Sequence, residues 1–377
     1  MTARAAVLVG VMALALASPG HAQDHVPATP SIESADPTWL PRFRARLAEA
    51  RRRLVRLSFY GTSHTASDQY TSVLRAALQR RFGDGGAGAF LPMRPLTFAD
   101  RRDVVFESAS GFVGRSTRRT RGVLDLGATG LALEARGEAH ARLRVMHPVG
   151  GVVRLWATAL RESARVSMRV GWRHDERTLR AGESVMIELP AEAASLEVTV
   201  SRARILALSV ESTRGVVVES FGVPGARAVD AARWEARSFE GQLADRPPDV
   251  VFLELGTNEI VGRGTVPEHR AALGALIARF RQSAPVAMCV VIGPSNLPRM
   301  RGGEWTANER GLALRDAFRL EALAAGCGFF DLIAFEGGLG DLDDWVARGL
   351  VLADHVHLSD AGHARLAAAL ERALLER

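Results

Sequence analysis

The strongest constraint on the fold is a recurring pair of patterns: a short apolar segment followed by an amphipathic, helix-like one. The apolar segments are residues 54–60, 215–221, 249–255, 285–293 and 327–333, and the helical patterns that follow them are residues 68–82, 228–243, 267–283, 306–325 and 360–376. Strands without a polar face that alternate with helices are typical of a parallel sheet covered on both sides. We therefore predict an α/β domain with a doubly wound, flavodoxin-like sheet of five strands.

Residues 97–214 interrupt this alternation. They contain only short runs of alternating polarity, such as VLDLG, ARLRVM, RVSMRVGW and SLEVTVS, separated by turns with Gly, Asp or Pro. This pattern predicts a β-sandwich or jelly roll, inserted between the first helix and the second strand. The α/β domain then consists of residues 38–96 and 215–377. The Gly-rich stretch at 82–90 lacks the lysine of a phosphate-binding loop, and we interpret it as a hinge and turn.

The first 22 residues have the features of an export signal. Arg4 precedes a short apolar run, and Gly20-His21-Ala22 supplies the small residues that signal peptidase requires. The run is too short for a permanent membrane helix, and no later segment reaches the necessary length. We expect cleavage after Ala22, a flexible leader over residues 23–37, and a periplasmic or secreted protein without an integral membrane segment.

The overall charge does not indicate a nucleic-acid partner. The formal net charge of +6 comes from a chain without lysine whose arginines are widely spread, and no aromatic stacking platform accompanies them. The hydrophobic content of 47% is that of a globular protein, which we expect to be a monomer. Cys289 and Cys327 lie in apolar, strand-like segments. We predict two buried thiols, with a single disulfide as the alternative.

Candidate site residues follow four of the predicted strands. Ser63 follows the first, Gly225 the second and Asn258 the third, and the loop after the fifth contains Asp354 and His357. The carboxyl ends of parallel strands meet at one edge of a sheet, where ligands bind. In the flavodoxin-like order the first strand lies between the second and third, which places Ser63 between Gly225 and Asn258.

These residue types suit acyl transfer. A serine hydroxyl needs a histidine to accept its proton, and the histidine needs an acid to fix its tautomer. We assign Ser63 as nucleophile, His357 as base and Asp354 as the acid. The backbone N–H groups of Ser63 and Gly225 and the side-chain amide of Asn258 are the predicted oxyanion donors. His355 is the alternative base. The histidine-rich loop matches no metal-binding spacing, so neither a metal nor another cofactor is expected.

Four stretches in this order, GTSHTASD, GVPGA, GTNE and DHVH, resemble the four sequence blocks of SGNH/GDSL hydrolases. GTSHTASD, GTNE and the inserted β domain more narrowly resemble periplasmic peptidoglycan O-acetylesterases, from about residue 54 to the end. The resemblance implies the same five site residues and the same roles. It also implies that the insertion is similar to a carbohydrate-binding module.

Two positions depart from the family pattern. Thr62 stands where the family usually has the aspartate of Gly-Asp-Ser, and we expect weaker local ordering without loss of the chemistry. Pro224 stands before Gly225 where asparagine is frequent. Proline fixes its own φ but leaves the Gly225 N–H free.

The sequence thus predicts an exported serine esterase that removes O-acetyl groups from a carbohydrate polymer, with acetylated peptidoglycan as the first candidate. Two alternatives stay open: a polysaccharide O-acetyltransferase with the same triad, and a glycan-binding protein without activity.

Overall fold

A computed structural model describes residues 30–118, 121–339 and 342–376. The predicted export signal and residues 23–29 of the leader lie outside the described residues.

The α-helices of the described chain are α1 (Trp39–Ala48), α2 (Ser63–Ala66), α3 (Gln69–Phe82), α4 (Ala236–Asp245), α5 (Thr257–Val261), α6 (Val266–Ser283), α7 (Glu309–Ala324), α8 (Leu332–Phe335), α9 (Leu342–Ala347) and α10 (Asp360–Leu375). Short 3₁₀ helices occupy Glu49–Arg51, Gly127–Thr129 and Ala228–Arg233. None of the helices in this part of the chain combines the length and apolar character needed to cross a bilayer.

The strands are β1 (Leu54–Gly61), β2 (Gly88–Phe90), β3 (Val104–Ser110), β4 (Val113–Arg115), β5 (Ala132–Glu134), β6 (Glu138–Val145), β7 (Val152–Ala159), β8 (Ala164–Val170), β9 (Arg173–Leu179), β10 (Ser184–Pro190), β11 (Ser195–Ser201), β12 (Ala203–Glu211), β13 (Gly215–Gly222), β14 (Val250–Glu254), β15 (Met288–Ile292), β16 (Arg299–Arg301), β17 (Glu304–Thr306) and β18 (Gly328–Phe330).

The parallel sheet has the predicted flavodoxin-like order. Its strands lie as β13-β1-β14-β15-β18, and every neighbouring pair is parallel. Gly61, the last residue of β1, is in register with Gly222 on one side and Glu254 on the other. The first, second and third predicted strands therefore end together, and the loops that follow them share one edge.

Helices cover both faces of this sheet. Phe59 packs in a core with residues of α1, α3 and α10, whereas its neighbour Tyr60 packs in a second core with residues of α4, α6 and α7. Successive residues of a strand point to opposite faces, so these two cores lie on opposite sides. The α/β fold class is confirmed.

The helix predicted over residues 228–243 is divided in two. A 3₁₀ helix ends at Arg233, Trp234 is extended, and Glu235 caps α4 by accepting hydrogen bonds from the N–H groups of Arg237 and Ser238. The capping carboxylate satisfies N–H groups that would otherwise be unpaired at a new helix start.

The inserted domain is an antiparallel β-sandwich. One sheet has the order β10-β7-β12-β5-β4, with β2 added on β12, and the other has the order β3-β6-β11-β8-β9. Side chains of both sheets share one apolar core. β2 lies within the Gly-rich stretch that we interpreted as a hinge, so that interpretation is wrong for residues 88–90. The sandwich also begins before the predicted limit at residue 97.

Buried charges fasten the sandwich to the parallel sheet. The Arg246 guanidinium donates to the carboxylates of Glu211, at the end of β12, and Glu219, in β13. Arg56 of β1 donates to Glu211 Oε1 at 2.8 Å. Burial opposes the ionised form of Glu211, but Arg246 and Arg56 outweigh it and hold the pKa of Glu211 far below its usual value. These charged groups are mutually satisfied at the junction of the two domains.

The end of the predicted leader is bound to the parallel sheet. Ile32 is buried, and Glu33 exchanges two backbone hydrogen bonds with Phe329 of β18. The Glu33 carboxylate also pairs with Arg319. The expectation of a flexible leader is therefore wrong for residues 30–37, because Ile32 and the paired backbone anchor them.

Cys289 and Cys327 form a disulfide, so the expected pair of thiols is wrong and the alternative holds. Cys289 lies in β15, and Cys327 immediately precedes β18, the neighbouring strand. Parallel pairing brings their Cα atoms to 4.7 Å, within the range that a disulfide requires.

Candidate active site

The nucleophile candidate lies on a tight turn between a strand and a helix. β1 ends at Gly61, and α2 begins with Ser63, which is half-buried. Gly222 of the neighbouring strand allows this turn to pack closely, since a Cβ at that position would stand 2.0 Å from the backbone nitrogen of Ala66. The Ser63 hydroxyl does not cap a helix; it points to the loop after the fifth strand of the parallel sheet.

Ser63, His357 and Asp354 form a continuous chain of hydrogen bonds. Ser63 Oγ lies 2.9 Å from His357 Nε2, and His357 Nδ1 lies 2.6 Å from Asp354 Oδ2. The other Asp354 oxygen accepts the backbone N–H groups of Val356 and His357, both at 3.0 Å. The structure thus brings together the three residues that the sequence proposed as nucleophile, base and acid.

The charge on Asp354 sets the tautomer of His357. Partial burial would raise the pKa of Asp354, but the hydrogen bonds from the His357 ring and from the two backbone N–H groups lower it below its usual value. An ionised carboxylate only accepts hydrogen bonds, so His357 Nδ1 carries the proton. The Nε2 lone pair then faces the Ser63 hydroxyl, as a general base requires.

Gly225 and Asn258 lie on joined loops at the same edge. Asn258 Nδ2 donates to the Ala226 carbonyl at 3.0 Å, which ties the third predicted strand's loop to the second's. Gly225 has a φ of +78°, a left-handed conformation that favours glycine. The backbone N–H groups of Ser63 and Gly225 donate to no other group within the described residues. They remain available for an oxyanion, as does the second amide hydrogen of Asn258.

Glu259 fixes the distance between these two loops. One of its oxygens accepts the Ala228 N–H at 2.8 Å, and the other accepts the Gly256 N–H at 3.1 Å. Burial raises the pKa of Glu259 to about 7, against the opposing effect of these hydrogen bonds. Its carboxyl group is fully engaged with backbone, so its role is structural.

Sequence reasoning missed Glu254, the central polar group beneath the nucleophile turn. This side chain is 1% exposed and accepts the Thr62 N–H at 2.8 Å and the Thr62 hydroxyl at 2.9 Å. It also accepts the Thr65 hydroxyl at 3.1 Å. The expected loss of order at Thr62 is therefore wrong, because Glu254 supplies from β14 the carboxylate that position 62 lacks.

His64 links the nucleophile turn to the histidine loop. Its Nε2 lies 3.1 Å from the Val356 carbonyl, and its Nδ1 lies 3.9 Å from Glu254 Oε1. Burial disfavours the imidazolium, but Glu254, helped by Glu336, outweighs it and raises the pKa of His64. A buried residue next to the nucleophile thus holds the backbone beside the predicted base.

His355 does not meet the serine. Its Nε2 lies 3.0 Å from Asp343 Oδ1, its Nδ1 lies 3.0 Å from the Ala353 carbonyl, and its ring stacks on Trp305 at 4.4 Å. Both ring nitrogens are engaged outside the triad. In the described ranges, no group of three or more His, Cys, Asp or Glu side chains is arranged to hold a metal ion.

The sequence of residues 192–365 matches the model of the GDSL-like Lipase/Acylhydrolase family. This range contains Gly225, Asn258, Asp354 and His357, while Ser63 precedes it on the other side of the inserted sandwich. Over this range the chain is similar to GDSL-type hydrolases. Lipases and acylhydrolases cleave carboxylic esters, so this hydrolase is a carboxylic ester hydrolase.

The fold of the hydrolase, insertion included, has a counterpart among solved structures. A structure described as a peptidoglycan O-acetylesterase in action matches with a TM-score of 0.75 and 22% identity, covering 90% of this chain and 96% of that one. At this identity the likeness establishes the fold. No curated protein sequence matches the hydrolase.

Two partial matches are weaker. A Bacillus subtilis protein covers 73% of this hydrolase and 91% of its own chain, with 13% identity and a TM-score of 0.35. A variant of an acetyl-xylooligosaccharide esterase from Geobacillus covers 43% and 73%, with 22% identity and a TM-score of 0.32. Both TM-scores are low, and nothing about this hydrolase is inferred from either match.

Proposed function

We propose that this hydrolase is an exported serine esterase that removes O-acetyl groups from a carbohydrate polymer, with peptidoglycan as the first candidate. The observation that carries the proposal is the chain of hydrogen bonds from Ser63 through His357 to Asp354, at the edge of the sheet where Gly225 and Asn258 also lie. The resemblance of its sequence blocks and the likeness of its whole fold to a peptidoglycan O-acetylesterase support the acetyl group and the glycan. Export is supported by the signal-like residues 1–22.

The geometry supports a two-step reaction. His357 Nε2 takes the Ser63 proton while Oγ attacks the acetyl carbonyl, and the Ser63 and Gly225 N–H groups and Asn258 Nδ2 stabilise the tetrahedral oxyanion. His357 then protonates the leaving sugar oxygen, which leaves an acetyl-serine. In the second step His357 takes a proton from water while its oxygen attacks the acetyl-serine, and His357 then returns that proton to Ser63 Oγ as the ester bond breaks, which releases acetic acid and restores the free serine; the acid ionises to acetate in solution. No other group is required to balance these steps.

Acetate release by the purified protein tests this proposal. The wild-type protein should release acetate from 4-nitrophenyl acetate and from O-acetylated peptidoglycan, and Ser63→Ala should abolish both activities. Ser72→Ala is the matched control, because its hydroxyl only donates to the Gln69 carbonyl within α3. His355→Ala should retain activity, since its ring is bonded outside the triad. Cleavage of the aryl ester but not of acetylated peptidoglycan would disprove the substrate, and full activity in Ser63→Ala would disprove the nucleophile.

A further inference from the structure

One arginine of the inserted sandwich reaches the predicted oxyanion loop. Arg118 lies in the segment between β4 and the 3₁₀ helix Gly127–Thr129. Its Nε and Nη2 stand 3.3 and 3.5 Å from the point that a Cβ on Gly225 would occupy. The guanidinium therefore lies against the Cα of the residue whose N–H we assign to the oxyanion. The side chain is 40% exposed, so it is open to a ligand as well.

A cluster of guanidinium groups lies at this loop. Three guanidinium groups converge on the single carboxylate of Asp230: Arg118 Nη1 at 3.9 Å, Arg227 Nε at 3.9 Å and Arg233 Nη2 at 3.7 Å. These distances are those of ion pairs without a direct hydrogen bond. Asp230 instead accepts the backbone N–H of Arg227 at 2.9 Å. Arg118 and Arg227 thus share this one carboxylate, and neither guanidinium forms a direct hydrogen bond with it.

Arg227 extends this positive region past Asn258. Its Nη1 lies 3.3 Å from the Cβ position of Gly262, and its Nε is buried without a hydrogen-bond partner in the described chain. Arg310 approaches the same loop and donates to the Gly262 carbonyl at 3.2 Å. Burial lowers the pKa of the adjacent His269, and the positive charges of Arg310 and Arg227 lower it further. Arg118 and Arg227, whose guanidinium groups have unused N–H donors in the described chain, thus flank the two predicted oxyanion loops.

We propose that Arg118 and Arg227 bind a carboxylate on the sugar that carries the ester, and so make the hydrolase selective for anionic glycan esters. This inference rests on the proposed function. It specifies in addition that the substrate is negatively charged and which residues recognise that charge. A guanidinium presents paired donors that match the two oxygens of a carboxylate. Gly225 and Asn258 hold the ester carbonyl on the loops that these two arginines flank. The carboxylate therefore lies on the sugar unit that carries the ester or on the next unit.

The test compares two esters that differ at C6 of the sugar, where one carries a carboxylate and the other a neutral hydroxymethyl group. The kcat/KM for an acetylated methyl glucuronoside is divided by that for the methyl glucoside acetylated at the same hydroxyl. We expect this ratio to exceed ten in the wild-type protein and to fall about tenfold in Arg118→Gln and in Arg227→Gln, the effect of losing one charge-assisted hydrogen bond. Arg165→Gln is the matched control, because Arg165 lies on β8 of the sandwich, 66% exposed and paired with Glu176.

Each outcome decides the inference. The inference is overturned if the wild-type ratio is near one. It is also overturned if the arginine variants lose kcat/KM equally on both esters, because the arginines then do not recognise the carboxylate. Failure of the wild-type protein to cleave either ester or 4-nitrophenyl acetate refutes the proposed function instead. The wild-type preference should also decrease when NaCl is raised from about 50 to about 500 mM, because salt screens exposed charges. This last measurement needs no variant and holds if Arg227→Gln does not fold.

Discussion

Restoring the family's usual residue at position 62 should destabilise this protein. Thr62 is 1% exposed, and its Oγ1 lies 2.9 and 3.0 Å from the two oxygens of Glu254. In Thr62→Asp a second carboxylate would stand about 3 Å from a buried first one, and two such groups do not both ionise. Glu254 raises the pKa of His64, and a single imidazolium there would offset at most one of the two charges.

The cost follows from the proton that the folded variant must bind. An aspartate that ordinarily titrates near pH 4 must stay protonated at pH 7, a shift of about three pKa units or about 4 kcal/mol. The pKa is raised in the folded state, so the folded variant holds a proton that the unfolded chain loses above about pH 4. The deficit therefore grows as the pH rises and should shrink to about 1.4 kcal/mol at pH 5.

Urea unfolding of Thr62→Asp at pH 5 and pH 7 measures this deficit. Thr62→Asn is the matched control, because an uncharged amide donates to Glu254 as the threonine hydroxyl does, and it should remain close to the wild-type stability at both values. If Thr62→Asp is as stable as Thr62→Asn at pH 7, Glu254 does not occupy the place of the missing aspartate and the reasoning is refuted.

Three further changes have defined outcomes. Asn258→Ala should lower kcat on 4-nitrophenyl acetate by about 10²–10³ with little change in KM, because it removes a donor to the transition state; equal loss of affinity would contradict that role. Burial raises the pKa of Glu336 from 4.5 to about 7, so Glu336→Gln should gain about 2.5 kcal/mol of stability over the wild type in urea unfolding as the pH rises from 5 to 8, and a constant difference would count against it. Reduction of Cys289–Cys327, which closes a loop of 38 residues, should cost about 4 kcal/mol by thermal unfolding and leave kcat unchanged, since the bond lies at the opposite ends of the strands from Ser63.

The backbone of the site was predictable because it depends on strand order. The five apolar segments gave the parallel sheet, and the flavodoxin-like order alone placed Ser63 between the loops of Gly225 and Asn258. The three-residue offset of Asp354 from His357 places both on one turn, and the structure brings them within 2.6 Å. Local spacing and topology were sufficient for these residues.

Contacts between distant side chains were not predictable in the same way. Glu254 had a signal, since it is a lone carboxylate in the strand segment DVVFLEL, whose neighbours are buried on both faces. Arg118 had none, because its contact with Gly225 depends on how the sandwich packs on the parallel sheet. To predict the disulfide, one must know that β15 and β18 are neighbours and that both cysteine side chains point to the same side. The order of the segments predicts that the strands are neighbours but not where the side chains point.

The position of the insertion determines the order in which the molecule can be completed. Ser63 and His357 are separated by 294 residues, with the whole sandwich between them. The strands of the sandwich all lie between Gly88 and Glu211 and pair among themselves, so the sandwich can form before residue 357 is released. The contact between Ser63 and His357 spans 294 residues and can form only after the whole sandwich has been released. A nascent chain that has not yet released residue 357 would therefore carry a folded sandwich and an inert serine, so esterase activity requires the release of residue 357.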